Sequence, residues 1–112
     1  MKIGITFLSH NDNFTFFYTL KEFFINTLFY IISPDVKKNI YILIQNCSSS
    51  YQRSLENLIN IYKEKKKTDN VVFEIISIQE NLGVSKANNL LYEKSKDCDY
   101  VLHIEDDWIL IP

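Results

Sequence analysis

Glycine and proline are scarce in this sequence of 112 residues, which contains two of each. Because these residues are the strongest local terminators of helices and strands, their scarcity predicts long elements joined by short loops. Long apolar runs are also lacking, since the aromatic-rich stretch from residue 14 to residue 32 is interrupted by Lys21, Glu22 and Asn26. A membrane-spanning helix needs about 20 predominantly apolar residues, so we interpret this stretch as a buried helix.

An excess of positive charge is absent as well. The formal net charge is -2, so the chain has no basic field with which to attract a nucleic acid. No export signal precedes the first apolar run, and the two cysteines, Cys47 and Cys98, lack the spacing of metal ligands. We therefore expect two reduced thiols, no nucleic-acid partner and no transmembrane segment, and we favour a cytoplasmic location.

The composition is that of one globular domain. Hydrophobic residues make up 46% of the chain and charged residues 23%, which argues against disorder. A chain of this length buries a sizeable core but is short for two domains, so we treat residues 1–112 as a single domain.

Apolar patterning alternates between strand and helix along the whole chain. Four β-branched and apolar runs predict strands at residues 2–8, 39–45, 71–78 and 99–104. Apolar residues at helical spacing predict three helices between them, the last at residues 84–96. Their inward-facing residues are Phe17, Leu20, Phe24, Leu28 and Ile31, then Leu55, Leu58, Ile59 and Tyr62, then Ala87, Leu90 and Leu91. This βαβαβαβ pattern predicts an α/β fold with a parallel sheet and helices on both faces.

Local chemistry predicts where the helices begin and end. Pro34 ends the first helix, because the residue before a proline avoids the helical region. Ser49, with Gln52 three positions later, resembles a capping box at the start of the second helix. The lysine-rich segment 63–67 suits the end of that helix, where positive charge interacts favourably with the helix dipole.

Right-handed crossovers favour the strand order 3-2-1-4 of a Rossmann-like sheet. In that order the winding direction reverses between the first and fourth strands, and ligands bind beyond the carboxyl ends of strands at such a point. Loops at residues 8–13 and 105–108 flank the reversal. The second loop holds three adjacent acids, Glu105, Asp106 and Asp107, where a ligand site is expected.

Adjacent carboxylates repel one another, and a divalent cation relieves that repulsion. Mg²⁺ and Mn²⁺ prefer oxygen ligands and often take one or two carboxylates, with phosphate oxygens and water completing the shell. The loop at residues 9–13, SHNDN, contains neither a GxGxxG motif nor a Walker lysine, which disfavours a dinucleotide or P-loop site. For these acids we predict a metal ion that binds a diphosphate. The alternatives are a solvated acidic turn, a helix cap and a phospho-acceptor aspartate.

Four segments occur in order along the chain: ITFLSHND, ILIQNCSSS, ENLGVSKANN and YVLHIEDDW. Together they resemble the donor-binding half of GT-A-fold glycosyltransferases, particularly family 2-like enzymes, over nearly the whole chain. The third segment is similar to that family's Asn-x-Gly-x-x-x-Ala-x-Asn stretch, and the terminal acids are similar to its Asp-x-Asp motif. The resemblance implies an enzyme that moves a sugar from a nucleotide diphosphate, with Mn²⁺ or Mg²⁺ as cofactor, to a hydroxyl group of a glycan or protein.

The resemblance also implies a set of site residues. Asp107 would be the direct metal ligand, with Asp106 on sugar hydroxyls, on metal-bound water or on the metal itself. The other implied donor-binding residues are Leu8, Ser9, His10 and Asn11 around the base, Asn46 at its edge, Asn81, Gly83, Lys86 and Asn89 along the donor pocket, and Glu105 in the acidic motif.

Departures from the family pattern leave the identity of the base open. Gln45 stands where an aspartate is common, and Ser50 stands where an acid is often found, so uracil, thymine and guanine are all retained, with a UDP-sugar favoured. Simpler roles also remain: Asn46 as a turn residue, Gly83 for a positive φ, His10 as an ordinary loop residue, His103 as a strand residue and Trp108 for packing.

In the family, the acceptor site and the catalytic base follow the acidic motif. The resemblance therefore implies that a chain ending at Pro112 is the amino-terminal part of a longer glycosyltransferase, with the catalytic base unknown. A non-catalytic nucleotide-sugar-binding module and a nucleotidyltransferase are the alternatives. The fourth strand or the segment from Trp108 to Ile111 should present an unpaired apolar sheet edge, which predicts a homodimer or a strand exchange across that edge.

Overall fold

Strands and helices alternate along the chain, as the sequence pattern predicts. The computed structural model describes residues 1–26, 35–65 and 70–106. Within them lie β1 (Lys2–His10), α1 (Thr15–Asn26), β2 (Lys37–Gln45), α2 (Ser49–Lys65), β3 (Val71–Ile78), α3 (Val84–Ser95) and β4 (Tyr100–Glu105).

The four strands form one parallel sheet in the order β3-β2-β1-β4. In the interior strand β1, Ile5 is paired with Ile40 of β2 on one side and with Leu102 of β4 on the other. On the far side of β2, Ile40 is paired with Phe73 of β3. The predicted fold class and strand order are confirmed, and the winding reverses between β1 and β4.

The larger core lies between the sheet and helices α1 and α2. Ile5 and Phe7 of β1 are fully buried on this face, and Phe7 packs edge-on against Phe23 of α1 with ring centroids 5.4 Å apart. Leu55 and Ile59 of α2 complete the same cluster. Full burial of such a side chain contributes about 1.5–3 kcal/mol, so this cluster supplies most of the apolar stabilisation.

Helix α3 covers the opposite face of the sheet. Ala87 and Leu91 pack there against three strand residues: Leu8, Tyr41 and Leu43. Gly4 of β1 lies close to the end of this helix, because a Cβ built on it would be 3.0 Å from Sγ of Cys98. The absence of a side chain at Gly4 therefore lets the chain after α3 approach the sheet.

Two details of the helix predictions are wrong. Leu90 is 39% exposed, whereas the other two predicted inward-facing residues of α3 are buried, because the face that meets the sheet is narrower than the apolar pattern. At the start of α2, Oγ of Ser48 accepts a hydrogen bond from the N–H of Tyr51 over 3.1 Å. The capping residue is therefore Ser48 rather than the predicted Ser49.

Most predicted boundaries lie within two residues of the observed ones. β1 continues to His10, β2 begins at Lys37, and β4 is displaced by one residue from its predicted range. Phe17 and Leu58, predicted to face inward, are half-buried. Of the positions named in the helix predictions, five lie outside the described residues: Leu28, Ile31, Pro34, Lys66 and Lys67.

Two further observations concern the predicted environment. In the part of the chain that the structure describes, no helix combines the length and apolar character needed to cross a membrane. Cys47 and Cys98 are free thiols, and burial raises the pKa of each above its ordinary value. Both thiols are therefore protonated at neutral pH.

Candidate functional site

Three loops meet beyond the carboxyl ends of β1, β2 and β3. The loop after β1 is joined to β2 by a hydrogen bond from the N–H of Asn11 to the carbonyl oxygen of Gln45, 3.2 Å long. Nδ2 of Asn46 donates to Oδ1 of Asn11 over 2.8 Å. The N–H of Asn46 donates to the carbonyl oxygen of Ile78, at the end of β3, over 2.9 Å. The carboxyl edge of the sheet is therefore one connected polar surface.

Left-handed backbone conformations shape the first two loops. Asn11, Asp12 and Asn46 have φ angles of 57°, 53° and 53°. Asn and Asp adopt this conformation more readily than most L residues. A carboxylate oxygen of Asp12 accepts a hydrogen bond from the N–H of Ser48 over 2.7 Å, which joins the first loop to the start of α2. The hydrogen bonds from Ser48 lower the pKa of Asp12, so its carboxylate is ionised at neutral pH.

Gln45 holds the third loop in place. Its side chain is 1% exposed, and its Oε1 accepts a hydrogen bond from the N–H of Leu82 over 2.9 Å. The next residue, Gly83, has a φ of 84°, and its N–H donates to Oδ1 of Asn81 over 2.9 Å. A Cβ built on Gly83 would meet nothing within 4 Å, so glycine is favoured here by the backbone conformation rather than by lack of space.

Tyr51, which the sequence reasoning missed, lies beneath the first loop. It is fully buried, and its hydroxyl group donates to the carbonyl oxygen of Asn13 over 2.9 Å and lies 2.9 Å from Oγ of Ser9. Burial is the main cause that raises the pKa of Tyr51, and the negative charges of Asp106 and Asp12 act in the same direction. The phenol therefore lies within electrostatic reach of acids from two different loops.

Asp106 directly follows β4 and is 5% exposed. Its backbone carbonyl accepts a hydrogen bond from Oγ1 of Thr19 over 3.2 Å. Among the described residues, Oδ2 of Asp106 has no hydrogen-bond partner, and neither has Nδ1 of His10 at the end of the neighbouring strand β1. A buried carboxylate oxygen without a donor is costly unless a cation or a ligand reaches it. The carboxylate thus fits a hard divalent cation.

Glu105 faces the other side of the sheet, because successive side chains of a strand point to opposite faces. Its Oε1 lies 3.0 Å from Nε2 of His103, and Nδ1 of His103 lies 2.8 Å from Oγ1 of Thr6. The imidazole therefore bridges a carboxylate and a hydroxyl group on the α3 side. His103 is a residue of β4, which agrees with its predicted role as a strand residue.

The remaining predicted donor-binding residues differ in exposure. Leu8 and Ser9 are buried, so their side chains support the first loop from below. Asn81 is exposed in the third loop, and Lys86 and Asn89 are exposed on α3. The structure thus brings the predicted loop residues to the same edge of the sheet, places Lys86 and Asn89 on α3, and leaves only some of these side chains open to solvent.

The predicted metal ligand Asp107 and the aromatic residue Trp108 lie outside the described residues. Within residues 1–26, 35–65 and 70–106, no three His, Cys, Asp or Glu side chains form a group that could hold a metal ion. Sequence reasoning also missed Asp12 and Ser48 as structural partners. Their positions directly after β1 and β2, next to predicted site residues, were the available signal.

Comparison of this chain with protein-family models, with curated proteins and with solved structures finds no match. The fold and the site themselves define a Rossmann-like α/β domain with a connected polar edge and a buried, unpartnered carboxylate oxygen.

Proposed function

We propose that this chain is the nucleotide-sugar-binding domain of a glycosyltransferase, which holds the diphosphate through Mn²⁺ or Mg²⁺. The observation that carries the proposal is Asp106, whose Oδ2 is buried without a hydrogen-bond partner among the described residues. It lies beside the point where the winding of the sheet reverses, which is where open parallel sheets bind ligands. The resemblance of four sequence segments to GT-A-fold glycosyltransferases supports the same assignment.

Asp106 and Asp107 are the residues that would hold the metal. When bound, the ion neutralises the negative charge of the leaving diphosphate. The neighbouring Glu105 has its carboxylate paired with His103 on the other face of the sheet. We therefore assign Glu105 a supporting role in orienting the end of β4 and leave the metal to the two aspartates.

The base would lie against the joined amides of Asn11 and Asn46. A single hydrogen bond between two amides leaves at least one donor and one acceptor free, whichever way the amides are oriented. Uracil presents both N–H and carbonyl groups on one edge and could bond to both free groups, as we propose for a UDP-sugar; thymine and guanine also offer both kinds of group. His10, at the end of β1, directly precedes Asn11, and its Nδ1 has no hydrogen-bond partner among the described residues. Its ring would stack against the base.

The diphosphate and sugar would extend towards the start of α3. Asn81 and Gly83 form the loop that leads into this helix, and Lys86 lies in its first turn with an exposed side chain. The positive end of the helix dipole and the Lys86 ammonium group both favour a phosphate there. Asn89 follows one turn later on the same helix and would contact the sugar.

The acceptor would be a hydroxyl group of a glycan or protein, and we assign no catalytic base. A homodimer across β4 is also part of the proposal, because β4 lies at one edge of the described sheet. Tyr100 and Val101 on this strand are 66% and 48% exposed. At the other edge, Glu74 of β3 forms an ion pair with Lys94 over 2.9 Å, and charge at a sheet edge disfavours pairing with another chain.

Isothermal titration calorimetry with UDP and Mn²⁺ tests the metal-dependent binding. We expect heat of binding that requires the metal, an affinity about tenfold or more weaker in Asp106→Asn, and no binding in Asp107→Ala. The Asp106→Asn substitution preserves the shape of the side chain while removing its charge, so the loss would report on the cation.

Asp99→Asn is the matched control, because it removes a carboxylate charge just before β4, at the opposite end of that strand. Asp99 accepts a hydrogen bond from the N–H of Lys2 over 2.7 Å, and asparagine keeps an acceptor there. This variant should bind UDP and Mn²⁺ like the wild type. UDP binding that is independent of metal, or wild-type affinity in both the Asp106 and Asp107 variants, would contradict the proposal.

A further inference from the structure

The phenol of Tyr51 connects three parts of the carboxyl edge. Its hydroxyl group bonds Ser9, near the end of β1, and Asn13, in the loop that follows, over 2.9 Å each. Its own N–H bonds Oγ of Ser48 at the start of α2. Ser48 in turn donates a hydrogen bond from its N–H to the carboxylate of Asp12 in the first loop. The first loop is thus held to α2 at two points.

The direction of these hydrogen bonds follows from the chemistry of the groups. The carbonyl oxygen of Asn13 can only accept, so the Tyr51 hydroxyl donates its one proton to it. Oγ of Ser9 must then donate to the phenol oxygen. Ser9 and Tyr51 are both fully buried, so water cannot replace the phenol without opening the structure. Removing this one oxygen would leave the Ser9 hydroxyl group without this acceptor, and it would take from the Asn13 carbonyl one of two donors, the other being the N–H of Phe16 over 3.1 Å.

Aromatic packing holds the ring in the same position. Phe17 of α1 stacks on Tyr51 with ring centroids 5.2 Å apart and an interplanar angle of 19°. Phe14, just before α1, meets the ring edge-on at 5.2 Å. The ring is therefore kept in place by contacts that do not involve its oxygen, and a change that removes only the oxygen leaves this packing intact.

We infer that Tyr51 is a positioning residue of the nucleotide site, which holds residues 11–13 in place before any ligand binds and so maintains the left-handed conformation of Asn11 and Asp12. This inference rests on the proposed function, because residues 11–13 include the Asn11 amide assigned to the base. Tyr51 itself is fully buried, so it would act on a ligand through the loop rather than by contact. A loop that is already in its binding conformation loses less conformational entropy on binding, so the phenol oxygen raises affinity for the nucleotide indirectly.

Tyr51→Phe is the variant that removes only the oxygen, and Tyr62→Phe is its matched control. Tyr62 is also a buried tyrosine of α2, 4% exposed, but it stacks on Phe24 at the opposite end of the helix. In Tyr51→Phe we expect hydrogen exchange at the backbone N–H groups of Asn11 and Ser48 to accelerate by about tenfold or more. The affinity for UDP with Mn²⁺ should fall by roughly tenfold. Neither quantity should change in Tyr62→Phe.

A second variant, Ser9→Ala, distinguishes the loss of this hydrogen bond from a general loss of stability. Ser9→Ala removes the donor to the phenol oxygen and should accelerate exchange at the same amides, and its effect should not add to that of Tyr51→Phe. Exchange at Asn11 and Ser48 that stays at the wild-type rate in both variants would overturn the inference. If the wild type binds no UDP, the proposed function fails, while the exchange rates still decide whether Tyr51 holds the loop.

Discussion

Among single residues, Asp12 makes the stability of the fold depend on pH. Its pKa is lowered from 3.8 by hydrogen bonds from Ser48, so the ionised form is favoured in the folded state. Its stabilising contribution is complete above pH 3.8 and is lost as the pH falls from there through the lower pKa of the folded state. We expect the difference in free energy of unfolding between the wild type and Asp12→Ala to be largest at neutral pH and to shrink in acid. Denaturant unfolding at a series of pH values measures it.

Asp12→Asn is the control for this prediction. Asparagine keeps an oxygen acceptor for the N–H of Ser48 but does not titrate, so the difference between the Asn and Ala variants should be the same at every pH. If the destabilisation caused by Asp12→Ala were as large below about pH 3 as at neutrality, the hydrogen bond to the ionised carboxylate would not be its cause.

The residues of the site differ in how far sequence could predict them. His10, Asn11 and Asn46 follow predicted strands directly, so the topology alone brings them to one edge. Tyr51 and Gln45 could not be predicted in the same way, because Tyr51 bonds Ser9 across 42 residues and Gln45 bonds Leu82 across 37. Such contacts depend on the register of strands and the placement of helices, which local patterns do not contain.

At the level of secondary-structure elements, two adjacent leucines show which face of α3 is buried against the sheet. Leu91 is 2% exposed and packs on the sheet, whereas its neighbour Leu90 is 39% exposed. We expect Leu91→Ala to lower the free energy of unfolding by about 2–4 kcal/mol, through lost burial and a cavity. Leu90→Ala should cost under about 1 kcal/mol. Urea denaturation of the two variants measures both values, and equal losses would show that the faces of α3 have been assigned incorrectly.

The elements themselves were largely predictable because their apolar periods are strong. β3 occupies Val71–Ile78, the range that its continuous apolar run predicts, and α3 begins at the predicted Val84. The errors lie at ends, where one or two hydrogen bonds decide. The cap of α2 is Ser48 rather than Ser49, because the Ser48 hydroxyl group accepts a hydrogen bond from the N–H of Tyr51. Three serines are adjacent here, and the sequence alone does not show which of them is the cap.

For the whole molecule, the strand order accounts for both the site and its surroundings. Placing β1 between β2 and β4 brings the ends of three strands together, so polar residues that are far apart in the chain share one edge. The same order leaves β3 and β4 as the outer strands of the described sheet. The strand order was predictable, because right-handed crossovers leave few alternatives for a βαβαβαβ chain.

The edge at β4 is the surface through which we expect two copies to associate. Val101 of β4 and Val72 of β3 are 48% and 52% exposed, and both lie on the α3 side of an outer strand. A lysine at such a position opposes strand pairing, because its charge would have to be buried between chains. In sedimentation velocity over a range of concentrations, the wild type and Val72→Lys should form dimers, while Val101→Lys should remain monomeric. A wild type that is monomeric throughout, or a dimer that is lost in Val72→Lys and kept in Val101→Lys, would show that β4 is not the dimer interface.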